Sequence, residues 1–180
     1  MVFSLRKIIE SENTDKASIT EALLTFKCKM DEDVQTFLHE KAIDFEEKHQ
    51  TATFLSINDE KLKSGELQID GYFSLAIKVF EFSDEISNRK KKLLSGKSDK
   101  QVPAFLIGQL ARNDCAPKGT GKELLNLAIQ YIKNAQNYVG GCLTYLDCKD
   151  NMIPYYEKYG FSFIQKSSNE DNLNQMYITI

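Results

Sequence analysis

No CxxC pair and no Cys/His spacing of the kind that holds zinc occurs in this sequence, although it has four cysteines (Cys28, Cys115, Cys142 and Cys148). A zinc or dithiol site is therefore not expected. Two of the cysteines are set in strand-like apolar runs and read as structural free thiols of a reducing compartment. Histidines number only two. His39 and His49 sit in a polar helical region and read as surface residues. No apolar run approaches the roughly 20 residues that span a bilayer. The N-terminal MVFSLRKIIESEN meets charge too early for a secretory apolar region, so the expected location is cytoplasmic, with no membrane partner. There is no internal repeat and no low-complexity tract.

What is present suits one ordinary globular domain over residues 1–180. Hydrophobic residues make up 42% of the chain and charged residues 27%, enough to bury a core without staples. The net charge of -3 hides an uneven distribution. Residues 89–100, RKKKLLSGKSDK, carry one Arg, five Lys and one Asp, a net +5 that leaves the remaining chain at -8. A basic stretch on an acidic body is either a polyanion contact or a solvated loop.

Periodicity predicts mixed α/β order. Val2–Ile9 reads as a strand with Phe3 and Leu5 on one face. Thr14–Phe26 reads as a helix capped by Asn13 or Thr14. From Asp31 the residues Val34, Phe37, Leu38, Ala42 and Phe45 recur at helical spacing, with Asp31, Glu32 and Asp33 at the favourable end of the dipole. Thr51–Asn58 is a strand and Asn58–Gly65 a polar turn. Leu67–Phe82 is a long strand in which Gly71 marks a bulge or a close approach. Residues 83–100 form a loop or short helix. Val102–Arg112 is a strand whose start, at Pro103, is not centrally paired. Leu124, Leu125, Ala128, Ile132 and Ala135 form a helical stripe closed by Gly140 and Gly141. Cys142–Asp147 is an interior strand, Asn151–Tyr159 a short helix ended by Gly160. Phe161–Gln165 and Gln175–Ile180 are two closing strands. Antiparallel strands come first, and a βαβαβ run follows.

The stretch APKGTGKELL at 116–125 raises the question of a nucleotide loop. A Walker A pattern laid on Gly121-Lys122 puts Ala116 where the first glycine belongs and Glu123 where a magnesium-binding hydroxyl belongs. A glutamate there sets negative charge against the phosphates. Asp147, after the apolar CLTYL, imitates a Walker B acid only by a common pattern. A strand, a Gly-x-Gly loop and a helix more generally make a cradle for a diphosphate, because N–H groups at the helix start point at the anion. Lys118 and Lys122 add charge. A glycine turn with no ligand stands beside that reading.

Three segments in order resemble the GNAT superfamily of acetyl-CoA-dependent acyltransferases. They are IGQLARN (107–113) running into PKGTGKELL (117–125), then YLDCKDN (145–151), then IPYYEKYGF (153–161), close to the superfamily's FYEK-x-GF helix end. Ala116 stands where the superfamily's loop motif has Gln or Arg. More loosely, FKCKMDEDVQTFLHEKAIDFEEKHQTATFLSI (26–57) and GYFSLAIKVF (71–80) resemble bacterial toxin-type GNAT proteins, which acetylate the free amine of aminoacyl-tRNA.

The resemblance implies an α/β (α+β) GNAT fold, with a central mixed, mostly antiparallel twisted sheet of about six to seven strands flanked by helices. It implies acetyl-CoA as co-substrate, no metal, and direct transfer to a primary amine without an acyl-enzyme. Strand 107–113 would splay from its neighbour. Backbone groups at Leu110, Ala111 and Arg112 would meet the pantetheine arm, with the Leu110 N–H at the thioester oxygen. Ala116, Pro117, Lys118, Gly119, Thr120, Gly121 and Lys122 would hold the pyrophosphate. Asn151 would bond the pantetheine or cap its helix. Tyr156 would protonate the leaving thiolate, while Tyr155 and Tyr159 pack. The acceptor would be aminoacyl-tRNA, reached through Arg89, Lys90, Lys91, Lys92 and Lys97, or else a small-molecule or protein amine. Glu81, Asp84 and Glu85 are candidate bases. A homodimer and an antitoxin are further implied partners. A catalytically degenerate CoA-binding module is the alternative of another class.

Overall fold

The first strand is shorter than its sequence suggests. In the computed structural model, which describes residues 1–11, 15–168 and 172–180, β1 covers only Val2–Ser4 and the chain turns at once into helix α1, Leu5–Ile9. Leu5, Ile8 and Ile9 stand at i, i+3 and i+4, and all three pack into one apolar cluster, which a strand could not arrange. Helix α2 is Lys16–Leu24, capped by Asp15, whose carboxylate accepts from the Ser18 N–H at 2.9 Å. The expected caps Asn13 and Thr14 lie outside the described residues.

The chain divides into two compact units. The first is Met1–Leu75 with Gln109–Gln130; the second is Ala76–Gly108 with Tyr131–Ile180. In the first, helix α3 (Glu32–Thr36) passes through one π-helical turn (Phe37–Lys41) into α4 (Ala42–Glu47). The expected stripe holds: Phe37, Leu38 and Ala42 are buried, with Val34 and Phe45 packed against them. His39 departs from its surface reading. It is half-buried, with Nε2 2.9 Å from the Phe26 carbonyl oxygen. His49 is exposed and pairs with Arg6. Arg6 also donates to Glu46, which is buried and accepts the Thr53 N–H as well.

Strand β2 (Ala52–Ile57) pairs antiparallel with β1 and with β3 (Ile69–Glu81). Between them the expected turn is helix α5, Asp59–Lys63. Asn58 caps it by accepting from the Glu60 and Lys61 N–H groups, and Asp59 and Glu60 complement its dipole. Both expectations for Gly71 are met. The β2–β3 register shifts beside it, and a Cβ there would lie 2.6 Å from the Ala111 carbonyl oxygen and 2.6 Å from a Leu124 methyl.

In the second unit the basic stretch contains helix α6, Asn88–Ser95, capped by Ser87 and ended by left-handed Gly96. Strand β4 (Gln101–Arg112) and helix α7 (Thr120–Ala135) each run through both units. The buried stripe of α7 is Leu124, Leu125, Ala128 and Ile132. The helix stops at Ala135, short of the expected glycines, through a turn in which the Val139 N–H bonds the Ala135 carbonyl. Gly141 instead makes room for Phe105, whose ring a Cβ would meet at 2.5 Å. Strand β5 (Leu143–Cys148) follows, then a 3-10 turn (Asp150–Met152), α8 (Ile153–Glu157), β6 (Ser162–Lys166) and β7 (Asn174–Ile178).

The sheet has seven strands in the order β1-β2-β3-β4-β5-β7-β6. β4 and β5 pair parallel across α7, and β5–β7 and β6–β7 are antiparallel. All four cysteines are free thiols; Cys28 and Cys148 are buried, whereas Cys115 and Cys142 are exposed. Among the described residues no helix is long and apolar enough to cross a membrane.

Candidate functional site

The parallel ladder between β4 and β5 is short. Ala104, Phe105 and Leu106 pair with Leu143, Thr144 and Tyr145. β4 continues to Arg112, its last residues belonging to the first unit, and β5 runs to Cys148 in the second.

The loop that follows β4 is held from several sides. Asn113 donates from its side chain to the Ile69 carbonyl and from its backbone to the Asp70 carbonyl, both at 2.8 Å. Its side-chain oxygen accepts the Cys115 N–H at 3.3 Å. Asp114 is tied to the segment before α3: its N–H donates to the Lys27 carbonyl at 2.8 Å and its carboxylate accepts the Lys29 N–H at 3.2 Å. Arg112 then reaches forward, donating from Nη1 to the Ala116 carbonyl oxygen at 2.8 Å.

The turn into α7 leaves donors open. The Thr120 hydroxyl donates back to the Pro117 carbonyl at 2.9 Å, and the Lys122 and Glu123 N–H groups bond the Gly119 carbonyl. Among the described residues, the N–H groups of Lys118, Gly119 and Gly121 meet no acceptor in the chain. Gly119 has φ +104°, a conformation costly for any residue with a Cβ. Lys118 and Lys122 are exposed on either side. Three free N–H groups at a helix start, two lysines and a nearby guanidinium fit a diphosphate. Leu110, Ala111, Arg112 and 116–122 are thus brought together on one strand, loop and helix start.

Asn151 and Tyr156 belong to the second unit. Asn151 is exposed inside the 3-10 turn; the cap position of that turn is Lys149, so the reading of Asn151 as a cap is corrected. Tyr156 is buried on α8, edge-on to Tyr155 and Phe161 at ring separations of 5.2 and 5.7 Å. Tyr155 stacks edge-on with Tyr159 at 5.0 Å, which matches the packing role expected of those two. Burial pushes the Tyr155 phenol up, with Tyr159 adding to it.

The expected bases do not stand out. Glu81 accepts from Gln101, Glu81 and Asp84 both pair with Lys100, and Glu81, Asp84 and Glu85 are exposed. The basic stretch needs a correction too. Arg89 and Lys92 are exposed, but Lys91 is turned inward on α6 and buried beside Leu94, so it is not an open phosphate contact.

One carboxylate that the sequence offered only as a chance match is distinctive here. Asp147 lies on β5 past the last β4 pairing, and burial raises its pKa against a lowering hydrogen bond from Gln175. Its Oδ1 is enclosed and has no hydrogen-bond partner in the protein. An acid closing the apolar run CLTYLD was the available signal.

The seven-strand mixed sheet flanked by helices is a GNAT fold, and solved structures agree. The chain resembles AtaT complexed with acetyl-methionyl-tRNAfMet, with a TM-score of 0.73 and 19% identity over 99% of this chain and 94% of that one. It resembles a structure described as a bacterial toxin, at TM-score 0.74 and 18% identity over 100% and 91% of the two chains. It also resembles a Tyr-to-Phe mutant of the AtaT toxin bound to the C-terminus of the antitoxin AtaR and acetyl-CoA, at TM-score 0.68 and 18% identity over 99% and 92%. No family model matches the chain. No curated protein matches it either.

Proposed function

We propose that this protein is an acetyl-CoA-dependent N-acetyltransferase. It moves an acetyl group to a primary amine by direct attack, and its acceptor is the α-amine of an aminoacyl-tRNA. The observation that carries the reading is the loop between β4 and α7, which brings three unengaged N–H groups to the start of a helix. The neighbours in fold, described with acetyl-methionyl-tRNA and with acetyl-CoA, support the substrate pair.

The roles follow from what each group offers. The backbone of Leu110, Ala111 and Arg112 pairs with the amides of the pantetheine arm. The Leu110 N–H donates to the thioester oxygen as negative charge develops there. Pro117 to Lys122 hold the pyrophosphate, and Asn151 bonds the pantetheine. Tyr156 donates its phenolic proton to the departing sulfur; a phenol of ordinary pKa near 10 stays protonated at neutral pH. The ester of an aminoacyl-tRNA withdraws electron density, so its amine gives up a proton readily. Arg89, Lys90 and Lys92 supply phosphate contacts on α6. An antitoxin of the kind seen with AtaT and a second copy of the chain are the partner kinds that this reading carries.

Thermal stability with acetyl-CoA, compared with magnesium ATP, tests the reading. A ligand at 100 times its Kd stabilises by about 2.7 kcal/mol, which for this length raises Tm by roughly 5 to 10 °C. Acetyl-CoA alone should give that shift. A shift with ATP alone would mean that GTGK serves as a nucleotide loop. Transfer of labelled acetyl groups to methionyl-tRNA, but not to uncharged tRNA, then identifies the acceptor.

A further inference from the structure

We infer that Asp114 is a positioning residue that fixes the diphosphate loop before any ligand arrives, an inference that rests on the acetyltransferase reading. Every residue it involves belongs to the first unit. The loop is built as one turn after another. In the first, the Ala116 N–H donates to the Asn113 carbonyl at 3.1 Å. In the second, the Thr120 N–H and hydroxyl donate to the Pro117 carbonyl at 3.4 and 2.9 Å. The unengaged N–H groups of Lys118 and Gly119 are the central amides of that second turn, and the Gly121 N–H follows it. Their direction is therefore set by the first turn on one side and by α7 on the other.

On charge alone, Asp114 is misplaced. It lies in the turn before Lys118, where a negative side chain opposes a diphosphate. Its contacts account for it. Both carboxylate oxygens lie 3.2 Å from the Lys29 N–H, and the Asp114 N–H donates to the Lys27 carbonyl at 2.8 Å. One residue thus binds the 27–29 backbone in both directions.

That partner segment is itself held. The Cys28 N–H donates to the Gln35 side-chain oxygen at 2.9 Å, and His39 Nε2 lies 2.9 Å from the Phe26 carbonyl oxygen. Phe26 and Cys28 are buried in the same apolar cluster as Leu38 and Tyr72. Asn113 ties the loop to the Ile69 and Asp70 carbonyls of β3, and Asp114 adds a second attachment on the helical layer. A loop held at one place has to be ordered when its ligand binds, and fixing a residue costs about tenfold in affinity. A loop held at both places has its donors in position beforehand.

The test compares the wild type with Asp114→Ala and Asp114→Asn, each titrated calorimetrically with acetyl-CoA and with inorganic pyrophosphate. Asparagine removes the charge and keeps an oxygen for the Lys29 N–H; alanine removes both. Positioning predicts that Asp114→Ala binds both ligands about tenfold more weakly, while Asp114→Asn stays within about threefold of the wild type. The kcat at saturating acetyl-CoA should hold in both, and the KM for acetyl-CoA should rise in Asp114→Ala. Charge alone predicts the opposite, tighter binding by both variants. Equal or tighter binding by Asp114→Ala would overturn the inference while leaving the acetyltransferase reading in place. A second arm needs no ligand. In ¹⁵N-labelled protein the heteronuclear NOE of the Lys118 and Gly119 amides should fall in Asp114→Ala while that of the Ala128 and Ile132 amides of α7 holds, a pattern that a general loss of stability does not give. Unchanged values at Lys118 and Gly119 overturn the role of Asp114. If the wild type binds neither acetyl-CoA nor pyrophosphate, the proposed function falls, and this arm alone decides Asp114.

Discussion

Arg112 donates to the Ala116 carbonyl at 2.8 Å, so the last residue of β4 holds the loop that follows it. The guanidinium is thereby delivered next to the position where Ala116 replaces the Gln or Arg of related loops. In the proposed function it would supply the positive charge that position 116 lacks. Replacing Arg112 with Ala should weaken acetyl-CoA binding at least tenfold, since a charge-assisted hydrogen bond is worth about 1.5–3 kcal/mol. Calorimetric titration of acetyl-CoA reads this, and unchanged affinity would return Arg112 to a purely backbone role.

Gly71 should not tolerate even a methyl group. A Cβ would press on the Ala111 carbonyl and a Leu124 methyl, both at 2.6 Å. Overpacking of this kind costs about 1–3 kcal/mol, or roughly 2 to 10 °C in Tm for a chain this long. Because the strain falls on the end of β4 and the start of α7, acetyl-CoA affinity should drop as well.

Tyr156→Phe keeps the ring that packs edge-on against Tyr155 and Phe161 and removes only the hydroxyl. Tm and CoA affinity should hold while turnover falls about a hundredfold. A full rate in the variant would remove Tyr156 from the chemistry.

The basic stretch divides by burial. Arg89 and Lys92 are exposed, so the double alanine variant should weaken tRNA binding and flatten the slope of log affinity against log salt by about 1.5 to 2. Lys91 is buried, so Lys91→Ala should leave that slope alone and lower Tm through lost packing of its stem.

Asp147 should make stability depend on pH with a known sign. Its folded pKa is raised above the unfolded value. Its favourable contribution is thus fully present below the unfolded pKa and is lost as pH rises through the folded one. At neutral pH Asp147→Asn should unfold at a higher temperature than the wild type. The gap should close in acid, below the ordinary carboxylate pKa. Parallel Tm curves with a constant gap would contradict the raised pKa.

The elements that could be read in advance are those written locally. The α7 stripe follows from apolar residues at helical spacing, and the turn before it from Gly119, whose positive φ needs a glycine. The residues of the candidate loop and the helix of Tyr156 were legible for the same reason. Where local signals competed, the reading failed. Leu5 to Ile9 alternates acceptably for a strand, yet three of its side chains find a common cluster as a helix. Residues 59–63 looked like a polar turn because nothing apolar marks them, whereas an Asn58 cap and acidic first turn suffice for a short helix.

The amino-acid sequence alone determined the order of the elements, the glycine-dependent turn and the tyrosine-bearing helix, because backbone preferences and periodicity act over a few residues. Tertiary structure decided the grip of Arg112 on Ala116, the burial of Lys91, and the placement of Asp147 with one oxygen tethered by Gln175 and the other unpartnered. Each of these depends on groups that meet only once the chain has packed. A carboxylate in a sequence has no environment, and its basicity is set by the desolvation and hydrogen bonds of the folded state.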